Sequence, residues 1–82
     1  MIVEIYAPHK TLFSGNALAI SLPGTMGKFA ILDNHAPLVS VLGKGNIYLT
    51  KKNEENISFS IDSGFVEVNN NIVKVCVEIN KK

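Results

Sequence analysis

Apolar and polar residues alternate with period two along most of this chain, the spacing of a strand with one buried face. In NIVKVCVEI, Val73, Val75, Val77 and Ile79 share one face, and Lys74, Cys76 and Glu78 share the other. Ile57, Phe59 and Ile61 alternate with Ser58 and Ser60, and Ile47 and Leu49 alternate with Tyr48 and Thr50. Leu18, Ile20 and Leu22 alternate with the small residues Ala17, Ala19 and Ser21, which would let a second face pack closely. The pattern predicts further strands at Ile2–Ala7, Thr11–Ser14, Lys28–Leu32, Leu38–Leu42 and Gly64–Val68. No window sustains the i, i+3, i+4, i+7 spacing of an amphipathic helix over three turns.

The residues between these runs are turn formers. Ser14-Gly15-Asn16, Pro23-Gly24, Gly43-Lys44-Gly45, Lys51–Asn56 and Asn69-Asn70-Asn71 are expected to be the connections. Gly and Asn accept positive φ, and Pro followed by Gly suits a type II turn. The segment VEV-NNN-IVKV reads as a hairpin. Short strands with one apolar face each must bury those faces against one another. The expectation is therefore an all-β fold, a two-sheet antiparallel sandwich or flattened barrel of about eight to ten short strands. No linker or repeat interrupts the chain, so residues 1–82 are read as a single domain.

Composition narrows the function. The chain has 82 residues, 46% hydrophobic and 18% charged, values that fit a globular domain with a thin core. Net charge is +1, and all eight basic residues are lysines, scattered along the sequence. A nucleic-acid surface would concentrate Arg and Lys, so no nucleic-acid partner is expected. Cys76 is the single cysteine, which excludes an internal disulfide and a cysteine-based metal site. No apolar run approaches the ~18 residues of a bilayer span, and the opening MIVEIYAP lacks a basic-then-apolar leader pattern. The product is thus expected to remain in the compartment where it is made, with no direct insertion into a bilayer.

Catalytic signals are few. Asp62-Ser63-Gly64 follows a predicted strand and matches the tripeptide of aspartic proteases, whose small dimeric members would fit this length. That mechanism needs two carboxylates sharing a proton across a symmetric cleft. Phe65 stands where those enzymes place a small residue, and little chain follows Asp62, so a tight turn is the preferred reading. His9 and His35 lack evident further ligands for a metal. His35, beside Pro37, is either a loop imidazole bonded to backbone or a contact at a protein interface. No glycine pattern opens a helix, so no phosphate-binding loop is expected, and neither a catalytic residue nor a cofactor is assigned.

The ordered motifs nevertheless resemble one family nearly end to end. EIYAPHKTLFSG, LPGTMGKFAILDNHAPLVSVLGKGNIYL and SGFVEV-NNNIVKV are similar to the N-terminal β-sandwich domain of the epsilon subunit of F-type ATP synthases. Phe13-Ser14-Gly15, Leu22-Pro23-Gly24, Gly27, Phe29, His35-Ala36-Pro37-Leu38 and Gly64-Phe65-Val66-Glu67-Val68 fit that pattern in order and spacing. Ala30 replaces a usual Gly, Asp33-Asn34 replaces a usual Pro-Gly, and Lys28 replaces an acidic residue. The helical hairpin with which many epsilon subunits continue has no counterpart before Lys82.

The resemblance implies a non-catalytic central-stalk subunit of a proton- or sodium-driven rotary synthase. It would couple ring rotation to ATP synthesis from the cytoplasmic face of a bacterial inner membrane. Its implied partners are the gamma subunit, through Ala7, His35 and Ser40, and the polar loops of the c-ring, through Met26, Gly27, Lys28 and Phe29. The alternation with Ile31 makes Phe29 equally a core residue. Without the hairpin, no nucleotide binding is expected. The alternative is a β-sandwich adaptor for an unrelated partner protein.

Overall fold

Eight strands dominate residues 1–79, which the computed structural model describes. They are β1 (Ile2–Ala7), β2 (Lys10–Gly24), β3 (Gly27–Leu32), β4 (Leu38–Leu42), β5 (Gly45–Lys51), β6 (Asn56–Ile61), β7 (Ser63–Asn69) and β8 (Ile72–Glu78). There is no helix among the described residues. The Lys81-Lys82 end, expected to be solvated, lies outside them.

One layer contains β1, β8, β7 and β4; the other contains β3, the second half of β2, β5 and β6. β2 belongs to both. Its first half pairs with β1, from Ala7↔Lys10 to Ile2↔Asn16. Its second half pairs with β3 and with β5, and its last residue, Gly24, meets Leu42 of β4. The path β1-β8-β7-β4-β2 therefore returns to β1 and closes on itself. The all-β sandwich expected from the alternation is the observed fold. All strand pairs are antiparallel except β1 with β8, which run parallel from Ile2↔Ile72 to Tyr6↔Cys76. Alternation is blind to this direction, because either pairing buries the same face.

The interior is aliphatic. Val3, Ile5, Ile20, Leu22, Ile31, Leu42, Ile47, Leu49, Val66, Val68, Val73 and Val75 are buried, while Phe13, Phe29 and Phe59 pack around the rim. β-branched side chains pack well on a pleated surface, which suits them to so narrow a core.

Two expected connections are displaced. Ser14-Gly15-Asn16 is not a turn: these residues lie within β2, opposite Glu4, Val3 and Ile2 of β1. A straight 15-residue strand would reach roughly 50 Å at about 3.3 Å per residue. The long axis of the molecule is 36 Å, so β2 must bend as it changes layer. The change of partner from β1 to β5 falls between Asn16 and Ala17, just past Gly15, which has the Phe13 ring folded over it. Next to it, a register shift between Ala17 and Ala19 reverses the local phase. Ala17 is therefore buried and Leu18 faces outward, contrary to the grouping of Leu18 with Ile20 and Leu22.

Pro23-Gly24 ends β2, and the turn falls one step later, on Thr25-Met26, with Gly24 opposite Gly27. Asn70 and Asn71 do form the expected hairpin turn, with φ of 52° and 62°, the left-handed pair of a type I′ loop. Asp62 alone separates β6 from β7, and its N–H donates to the Glu78 carbonyl at 2.9 Å. Asp62-Ser63-Gly64 is thus the corner by which the chain passes between layers.

Candidate functional site

The two outer faces differ in chemistry. Cross-strand register builds one row from Tyr6, Cys76, Phe65 and Val41 across β1, β8, β7 and β4. The adjacent outward row is Glu4, Lys74, Glu67 and Val39. Val39 is 72% exposed, Val41 60% and Phe65 49%. Cys76 and Tyr6 are half-buried beside them, with the Tyr6 hydroxyl donating to Glu4 Oε1 at 2.8 Å. That bond, to a carboxylate that repels phenolate, raises the Tyr6 pKa above its ordinary value. The outer surface of the second layer instead carries Ser21, Tyr48 and Ser58 in one row and Ala19, Thr50 and Asn56 in the next. Single exposed apolar residues are ordinary on any surface, whereas a contiguous cluster marks a contact area. Leu18 and Leu32 are also exposed, beside Ala19 on the second layer, but the continuous row across four strands belongs to the first.

His35 lies in the loop leading into β4, on exposed backbone held by four hydrogen bonds. The Met1 ammonium donates to Asp33 Oδ1 at 2.8 Å, and Asn71 Nδ2 donates to the same oxygen at 2.9 Å. The Asn34 N–H donates to Asn71 Oδ1 at 2.7 Å, and the His35 N–H donates to the Leu32 carbonyl at 3.2 Å. Nδ1 of His35 lies 2.7 Å from its neighbour's carbonyl at Ala36, a contact that places the ring proton on Nδ1. Asn34, which replaces glycine in the resemblance, holds φ at 63°.

The Met1 ammonium, followed by the Asn71 amide, holds the Asp33 carboxyl below its ordinary pKa. A depressed carboxylate stabilises the fold above its unfolded pKa, and that contribution disappears as pH falls through the folded value. Acid titration followed by the Asn34 amide resonance should therefore show loop release with a midpoint below about 4, the ordinary aspartate value. A midpoint above it would contradict the pinning. Asn71→Ala should cost about 1–2 kcal/mol in denaturant unfolding, because it strains the turn and frees the loop. Asn70→Ala, losing only the turn geometry, should cost less.

Of the expected gamma-facing residues, Ala7 ends β1 beside Tyr6, while His35 occupies the loop before β4, at the opposite end of that layer. Ser40 lies between Val39 and Val41 but points with Leu38 and Leu42 to the half-buried side. The three frame the apolar face without forming one cluster. Val39, Val41, Phe65, Tyr6 and Cys76, which constitute it, were not singled out from sequence. The signal was present in Val39 and Val41, which break the alternation by being apolar at outward positions, but local pattern cannot say which side of VSV is outside.

Met26, Gly27 and Lys28 do sit together at the β2–β3 hairpin. Met26 is 99% exposed, Gly27 has φ of 127°, and Lys28 extends its Nζ to 5.7 Å from the Tyr48 ring centroid. Phe29 departs from them. It packs against the core, with its ring over Gly24, where an added Cβ would come within 2.8 Å of it.

This is a β-sandwich module with an apolar row across the outer face of its first layer, and its sequence and backbone place it in a known class. Residues 1–80 match the family model described as "ATP synthase, Delta/Epsilon chain, beta-sandwich domain". The chain belongs to that family. It is 38% identical over 76 residues to an ATP synthase epsilon chain of Leptospira borgpetersenii, covering 93% of this chain and 59% of that protein. A Chlorobium limicola epsilon chain is 38% identical over 69 residues, covering 84% and 78%. The chain thus spans less than two thirds of the Leptospira relative's length. Its backbone matches a chain of the Euglena gracilis mitochondrial ATP synthase with a TM-score of 0.88 at 19% identity, covering 94% of this chain and 49% of that one, a likeness of fold.

Proposed function

We propose that this domain is a non-catalytic rotor element of a rotary ATP synthase, fixing the gamma subunit to the ion-driven c-ring. The observation that carries the reading is the exposed apolar row Tyr6–Cys76–Phe65–Val41, with Val39 beside it, on a chain of the delta/epsilon family. Gamma would cover that face, with Ala7 and His35 at its two ends and Ser40 supporting β4 from behind. The hairpin of Met26, Gly27 and Lys28 would reach the polar loops of the ring, with Phe29 anchoring it to the core. Such a subunit sits peripherally, on the cytoplasmic side of a bacterial inner membrane. No helix of the described residues is long and apolar enough to cross one.

The mechanics suit the role. Torque passing from ring to gamma shears the two layers against each other. Because β2 is bonded in both layers and the strand path closes, sliding would require breaking its ladders, and a close-packed interior resists compression. Mixing the chain with gamma and with purified ring on a sizing column tests the reading. Co-elution with both is expected; failure to bind gamma would leave the unrelated adaptor as the surviving alternative.

A further inference from the structure

The β2–β3 hairpin adjoins a cationic hollow of about 270 Å³ lined by Pro23, Lys28, Lys44, Gly45, Asn46 and Tyr48. Its parts are held in place by backbone: the Thr25 N–H donates to the Val41 carbonyl at 3.1 Å and the Gly43 N–H to the Pro23 carbonyl at 2.8 Å. These bonds tie the hairpin to the β4–β5 turn that carries Lys44. Lys28 and Lys44 are both exposed. The ion pairs among the described residues, Met1–Asp33 and Lys51–Glu55, use neither of them. The Tyr48 hydroxyl accepts from Asn46 Nδ2 at 3.1 Å and keeps its own proton to donate. Asn46 is itself fixed by the Ser60 hydroxyl, which donates to its Oδ1 at 2.9 Å. Among the described residues no carboxylate lines the hollow; Asp62 borders Lys44 in a separate depression.

We infer that this hollow receives a side-chain carboxylate from a protein loop, an Asp or Glu set between Lys28 and Lys44 and hydrogen-bonded by Tyr48. The inference rests on the rotor reading above and sharpens it: the ring loop facing the hairpin is acidic. Two ammonium groups and one phenolic donor, with no acceptor charge between them, match a single carboxylate. A bilayer surface is the poorer fit, since recognition of anionic lipid draws on clusters of about four to eight basic residues. Met26, fully exposed at the tip, supplies an apolar contact of the kind a protein loop offers beside its charge.

The test uses the assembled synthase of the organism that supplies this chain, treated with a zero-length carbodiimide and digested for mass spectrometry. An isopeptide between Lys28 or Lys44 and an Asp or Glu of a ring loop is expected. In parallel, the Lys28→Glu, Lys44→Glu chain should bind purified ring at least ~30-fold more weakly and lose most of its salt dependence, while its melting temperature and gamma binding stay unchanged. Lys28→Gln, Lys44→Gln should show an intermediate loss, keeping the result readable if charge reversal disturbs folding. Wild-type ring affinity in both variants, with no such isopeptide, would overturn the acidic-loop inference and leave the rotor reading standing. Binding that requires phosphatidylglycerol around the ring, without the isopeptide, would also overturn it in favour of the bilayer. A wild-type chain that joins neither gamma nor ring would overturn both.

Discussion

Val41→Glu should weaken binding of this domain to gamma roughly 100-fold, a loss of about 3 kcal/mol, while leaving a folded, cooperative protein. Val41 is 60% exposed on β4 and stands next to Phe65 in the apolar row. In the free chain a carboxylate there stays in water, and the cost is the poorer strand preference of Glu, under about 1 kcal/mol. Once a partner covers the face, the same carboxylate loses its hydration without gaining a counter-charge, which typically costs several kcal/mol. Titration calorimetry or biolayer interferometry against gamma separates these two effects from a thermal melt. Ser58→Glu, on the polar outer face of the second layer, should bind as the wild type does. Equal affinities for Val41→Glu and wild type would show that gamma docks elsewhere on the sandwich.

Gly64→Ala carries the largest expected loss of stability, about 3 kcal/mol, or a fall of about 15 °C in melting temperature for a domain this size. Gly64 lies between Leu42 of β4 and Val77 of β8, in the middle of the first layer. A methyl group there would run into the Cys76 carbonyl oxygen and approach the Val77 Cα to 3.1 Å. Both are backbone atoms of the paired strand, so no rotamer change relieves the clash, and the strands must separate. Gly43→Ala is the matched control. Its added Cβ would sit 3.7 Å from the Thr25 methyl, an ordinary contact, and its melt should shift by only a few degrees. A Gly64→Ala protein melting within about 3 °C of wild type would show that β8 yields more readily than a packed sheet should.

Legibility followed the range of each interaction. Val73, Val75 and Val77 were readable as a core face because alternation is a property of the strand itself, and all three are buried. The Asn70-Asn71 turn was readable because positive φ is a local demand that Asn satisfies. Leu18 was misplaced because the bulge that turns it outward arises from β5 pairing across β2, a partner remote in sequence. Ser14-Gly15-Asn16 looked like a turn because its residues favour turns; β1 overrides that preference by pairing with all three. The hairpin Met26-Gly27-Lys28 was found through resemblance, and its separation from Phe29 follows from strand alternation. The apolar face was missed since neighbours across four strands have no proximity in the sequence.

By itself, then, the sequence determined an all-β sandwich, its aliphatic interior and its membership of a rotary-synthase family, all of them encoded in short-range pattern or ordered motif. The tertiary structure alone decided that β1 and β8 run parallel, that β2 bends through both layers, and that Tyr6, Cys76, Phe65 and Val41 meet on one outer surface. It also decided that Lys28 and Lys44 border one hollow. The reason is physical. Backbone periodicity fixes which side of a strand a residue takes, but only long-range hydrogen-bonded register fixes which residues become neighbours and which surface is left uncovered.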